Sequence, residues 1–146
     1  MKFDHVGIQV QHLDACIPWY KAVFNAVQTW TLTEFSSLTL DRLPGITVLT
    51  EMQSDEIKLH LFERNGLTRS SDRMTKFQHV ALSVAKEPRL SELQRLASAA
   101  NERLGLSSDV SEIVWDKNGV GSLYLADPEG NEFEITHNRR GPRDNV

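Results

Sequence analysis

Three of the five histidines in this 146-residue chain stand at related positions. Residues 3–10 read FDHVGIQV and residues 77–84 read FQHVALSV, so His5 and His79 correspond at an offset of 79 − 5 = 74. Residues 58–63 read KLHLFE and residues 132–137 read EFEITH, which pairs His60 with Glu134 at 134 − 60 = 74. Two separate segments sharing one offset mark an internal duplication. Strand alternation puts His5 and His79 opposite the Val and Ile side chains around them. It likewise puts His60 opposite Leu59 and Leu61, and Glu134 opposite Phe133 and Ile135. A single histidine on a strand is ordinarily a polar residue with a hydrogen-bond partner. Three imidazoles and a carboxylate at duplicated positions form a donor set for one borderline divalent cation, of the Zn, Ni, Co, Mn or Fe kind. Such a cation acts as a Lewis acid, and a basic side chain beside it moves protons.

The remaining polar candidates are set apart from this group. Glu63 and His137 also match at offset 74, but each lies three residues past a candidate ligand, the wrong parity for the same face. His12, just ahead of a helix, is assigned to the surface. Cys16, Trp19, Tyr20 and Phe24 are assigned to packing. Trp30 and Trp115 are assigned to the core, with a pocket wall as the alternative.

The elements that must position the four residues repeat as well. Each half reads as a strand, a helix and three further strands. In the first half, Val6, Ile8 and Val10 alternate with polar or small residues, and LDACIPWYKAVFNA follows as a helix with Asp14 as its N-cap. Strands at about 27–35, 46–52 and 56–62 complete the module, the last two joined by the turn QSD. In the second half, Val80, Leu82 and Val84 alternate, and RLSELQRLASAANERLG is a helix stopped by Gly105. Strands follow at about 110–115, 121–126 and 132–136, with DPEGN (127–131) as the final turn. The fold expectation is α+β: two βαβββ modules, about 1–63 and 77–138, in one domain over 1–146. A polar linker covers about 64–76 and a tail 139–146. Residues 36–45 have no counterpart in the second half and are read as a loop or short helix near the site.

Composition removes other classes. A net charge of −4 without a long run of one sign gives no nucleic-acid footprint. No apolar stretch is long enough to span a membrane. The first ten residues lack the regions of a signal peptide, and one cysteine cannot form an internal disulfide. The expected setting is cytoplasmic, and the expected partner is a small-molecule substrate.

The segments FDHVGIQV, PWYKAVFN, FQHVALSV and LADPEGNEFEI together resemble the vicinal oxygen chelate superfamily, which includes glyoxalase I, methylmalonyl-CoA epimerase, extradiol dioxygenases, fosfomycin-resistance thiol transferases and bleomycin-binding proteins. The resemblance implies curved sheets around a metal-binding cleft, and a homodimer. It places the family's metal-binding Glu on Glu134, its first-strand ligands on His5 and His79, and its fourth position on His60, which is then an extra ligand or the catalytic base. Glyoxalase I and the epimerase usually carry Glu or Gln where this chain has His60. The activity implied is that of a metal-dependent lyase or isomerase acting on a small carbonyl compound through an enediolate. The alternatives are a non-haem iron dioxygenase and a drug-binding or thiol-transferring resistance protein.

Overall fold

The computed structural model describes residues 4–65, 80–117 and 119–140. His79, most of the expected linker and residues 141–146 of the expected tail lie outside the described residues. The chain divides into two compact units, Met1–Thr75 and Lys76–Val146.

The first unit runs β1 (Val6–Val10), α1 (Leu13–Phe24), β2 (Val27–Leu32), α2 (Ser37–Arg42), β3 (Ile46–Ser54) and β4 (Ile57–Arg64). The second runs β5 (Val80–Ser83), α3 (Pro88–Leu104), β6 (Val114–Trp115), β7 (Val120–Ala126) and β8 (Glu132–Asn138). The sheets have the orders β1-β4-β3-β2 and β5-β8-β7-β6. In each, the first strand pairs parallel with the last and the other neighbours are antiparallel. The fold is α+β, with two βαβββ modules built to one plan.

Alternation of apolar residues drives each sheet against its helix. Ile8 and Val10 on β1, Met52 on β3, and Leu59 and Leu61 on β4 are buried with Cys16, Trp19, Tyr20, Val23 and Phe24 of α1. In the second unit Leu90, Leu93, Ala97 and Ala100 form the inward stripe of α3, opposite Leu123, Leu125, Phe133 and Ile135. Each fully buried aliphatic side chain contributes roughly 1.5–3 kcal/mol. Gly105 ends α3 in the left-handed region at φ 65°, as its place in the sequence predicts.

Two expectations about α1 and the insertion are refined. The N-cap position of α1 is His12, not Asp14, and its side chain makes no capping bond. The cap comes from another strand: the Leu13 backbone N–H donates to Glu63 Oε2 of β4 at 3.0 Å. Asp14 sits in the first turn, where its charge complements the helix dipole. The insertion contains α2, capped by Ser36 Oγ, which accepts from the Thr39 N–H.

Candidate metal centre

In the first unit, register builds a row across all four strands. Gly7 of β1 lies beside His60 of β4, His60 beside Glu51 of β3, and Glu51 beside Trp30 of β2. Gly7 brings no side chain to this row. His5, just before β1, lays its imidazole flat on that of His60, with ring centroids 3.7 Å apart and planes 16° from parallel. Trp30 meets His60 edge to face at 4.9 Å.

Each imidazole has one nitrogen on a carboxylate. His60 Nε2 lies 3.0 Å from Glu51 Oε2, and His5 Nδ1 lies 2.7 Å from Asp4 Oδ2. Asp4 is exposed, whereas Glu51 is only 6 % exposed. Thr29 Oγ1 donates to the other Glu51 oxygen at 2.6 Å. That bond is the main reason the Glu51 carboxyl sits below the ordinary carboxylate range; burial opposes it, and His60 adds to it. A β-bulge at this point makes two residues of β2 oppose one of β3, so the Thr29 hydroxyl and the Trp30 ring both reach the Glu51–His60 pair. Beside them, Thr31 and Thr50 share a hydroxyl–hydroxyl bond, and the Gln28 amide donates to both.

The second unit repeats the row with different chemistry. Ala81 of β5 lies beside Glu134 of β8, and Glu134 beside Tyr124 of β7. Ser122 Oγ donates to Glu134 Oε1 at 2.8 Å. The Tyr124 hydroxyl also bonds Glu134; desolvation first, and then this carboxylate, push its phenol above the ordinary range. Here the last-strand residue is a carboxylate held by hydroxyl donors. In the first unit it is an imidazole held by a carboxylate.

The sequence model of the Glyoxalase/Bleomycin resistance protein/Dioxygenase superfamily matches residues 2–135. The chain belongs to this superfamily. Solved structures agree in fold. A glyoxylase/bleomycin resistance protein/dioxygenase domain from Frankia sp. EAN1pec superposes with a TM-score of 0.70 at 14% identity, covering 95% of this chain and 98% of that one. A mutant FosX fosfomycin resistance protein from Listeria monocytogenes, complexed with Mn(II) and 1S,2S-dihydroxypropylphosphonic acid, gives 0.63 at 16%, covering 92% and 87%. Lactoylglutathione lyase from Agrobacterium tumefaciens gives 0.59 at 19%, covering 93% and 92%. No curated protein sequence matches the chain.

For this superfamily member, the residues singled out in the sequence stand as follows. His5 and His60 are in ring contact in the first unit, and Glu134 occupies the related position in the second. Among the described residues no group of three or more His, Cys, Asp or Glu side chains is close enough to hold a metal ion. The donor chemistry nonetheless fits a divalent cation. Metal-bound histidines characteristically have a carboxylate or carbonyl on the second nitrogen, as His5 and His60 do, and ligating carboxylates are themselves hydrogen-bonded, as Glu134 is.

Glu63 and His137 serve the framework. Glu63 caps α1, and His137 Nδ1 donates to the Val84 carbonyl at 3.0 Å, just past β5. Trp30 and Trp115 are half-buried rather than core. Trp30 flanks His60, and Trp115 lies under the Arg139 guanidinium, 3.7 Å from its ring centre.

Glu51 was not among the residues the sequence singled out. Its signal was present: a carboxylate inside the apolar run of β3, in a hairpin whose two-residue turn at Asp55–Glu56 brings Ser54 opposite Ile57. Counting back from that turn puts Glu51 opposite His60. Reading the turn as QSD hides the pairing.

Proposed function

We propose that this chain is a divalent-metal-dependent lyase or isomerase acting on a small carbonyl compound. His5, His79 and Glu134 hold the cation. His60, expected from the sequence both as a fourth donor and as the catalytic base, takes the second part here. The observation that supports this most is the stacked His5–His60 pair, each ring with one nitrogen on a carboxylate. A carboxylate on the second nitrogen steadies a metal-bound histidine at His5 and a proton-moving histidine at His60.

When bound, the cation polarises a substrate carbonyl and stabilises the negative charge that develops on its oxygen. His60 accepts a proton from the carbon next to that carbonyl and returns it to the same carbon or its neighbour. The flat contact with His5 and the Trp30 edge restrict the His60 ring, which keeps the accepting nitrogen in one direction. Ser122 and Tyr124 orient the Glu134 carboxylate as a ligand.

The test is exchange of carbon-bound protons with deuterated water, run with the metal-loaded chain over a panel of hemithioacetals and 2-oxo thioesters. Exchange with at least one substrate is expected, reduced about 10²–10⁴-fold in His60→Ala, the usual contribution of a positioned base. Absence of exchange across the whole panel refutes the proposal.

A further inference from the structure

The duplicated rows assign opposite hydrogen-bonding parts to their two last-strand residues. Glu134 accepts from Ser122 and Tyr124, which orients a carboxylate to bind a cation. His60 faces an acceptor. Glu51 is more than nine-tenths buried, and its second oxygen is already satisfied by Thr29. An ionised carboxylate has only lone pairs to offer, so the hydrogen in the 3.0 Å contact belongs to His60 Nε2. A neutral imidazole with hydrogen on Nε2 has its lone pair on Nδ1.

We propose that Glu51 is a positioning residue that fixes His60 as the Nε2–H tautomer, making Nδ1 the atom that takes the substrate proton. This rests on the reading of His60 as the base. As the proton moves from substrate carbon to Nδ1, the electron pair of the C–H bond passes into the substrate carbonyl system. The imidazolium that forms keeps its Nε2–H on the Glu51 carboxylate, whose charge offsets the new positive charge. Returning the proton from Nδ1 to carbon restores the starting tautomer, so the step balances without another reactant. The bulge in β2 has a part in this, since it brings Thr29 onto the Glu51 oxygen that His60 does not use and fixes the carboxylate plane. Glu51 touches neither substrate nor cation; it acts through His60.

The experiment uses the full chain labelled with ¹⁵N-histidine and long-range ¹H–¹⁵N correlation spectra, with His60 assigned by the loss of its signals in His60→Gln. The wild type is expected to show a protonated Nε2 and an unprotonated Nδ1. Glu51→Gln retains an acceptor oxygen and is expected to keep that tautomer. Glu51→Leu is expected to lose the preference. Both variants are expected to bind the same amount of Zn(II) as wild type, while proton exchange on the methylglyoxal–glutathione hemithioacetal or another active panel compound falls about 10–100-fold, the scale for losing an orienting partner. Hydrogen on Nδ1 in the wild type overturns the proposal, and so does an unchanged tautomer in a folded Glu51→Leu. Should Glu51→Leu fail to fold, the wild-type tautomer together with the exchange rate of Glu51→Gln decides the matter. Absence of wild-type exchange on every panel compound instead removes the activity, and the tautomer result still judges the positioning by Glu51.

Discussion

Glu51 carries the strongest residue-level consequence. Its carboxyl is held below the ordinary range by Thr29 and His60, against the opposing effect of burial. A group whose folded value is depressed contributes stability that is present above its unfolded value and is lost as the pH falls through the folded value. Acid unfolding followed by circular dichroism is therefore expected to show a shallower loss of stability in Glu51→Gln than in wild type, confined to the acidic limb, with the two curves parallel near neutrality. Identical acid limbs would mean that the Thr29 and His60 bonds do not hold the carboxylate. In the second unit Ser122→Ala removes a donor from Glu134. On the proposed role of Glu134, metal affinity measured by competition with a chelating dye is expected to fall about 10–100-fold, because the carboxylate loses its orientation but not its charge.

Among the elements, small local contacts decide how the strands present these side chains. A Cβ placed on Gly121 of β7 would come within 2.8 Å of three atoms of the Trp115 ring. The same ring carries the Arg139 guanidinium, which also donates twice to Glu87 at the start of α3, at 2.8 and 2.7 Å. Gly121→Ala is expected to cost about 1–3 kcal/mol in urea unfolding, as overpacking does, and to shift tryptophan emission. Glu63→Ala is expected to cost about 1 kcal/mol through the lost cap of α1. Most of these elements were legible in the sequence because period-two alternation and the duplicated motifs are properties of consecutive residues. The turn DPEGN was legible for the same reason: Asp127 Oδ1 accepts the Glu129 and Asn131 N–H groups, and Gly130 adopts φ 77°. Three features were not. The cap of α1 comes from Glu63, fifty residues away; the bulge at Thr29 leaves no compositional mark; and the Glu51–His60 contact depends on where a hairpin turns. The first two are tertiary choices between locally equivalent options; the third follows from the sequence only once the turn is placed at Asp55–Glu56.

Across the whole molecule, duplication is the organising fact. Apart from α2, two units share one order of elements, and they share one sheet topology, yet their last-strand residues differ: an imidazole on a carboxylate in one, a carboxylate on hydroxyls in the other. Among the described residues no helix is long and apolar enough to cross a membrane. The superfamily match over residues 2–135 covers both units, so the fold and the duplication belong to the family. The polarity of each row belongs to this chain's own side chains. Metal stoichiometry directly tests the proposal that His5, His79 and Glu134 hold one cation. The full chain is loaded with Zn(II) or Mn(II), dialysed, and analysed by inductively coupled plasma mass spectrometry, with circular dichroism confirming the fold of each variant. About one ion per wild-type chain is expected, the same in His12→Ala, and little or none in His5→Ala, His79→Ala and Glu134→Ala, since removing a ligand costs more than the roughly 10–100-fold lost with a ligand's hydrogen-bond partner. One tightly held ion per chain in folded His79→Ala or Glu134→Ala would contradict it.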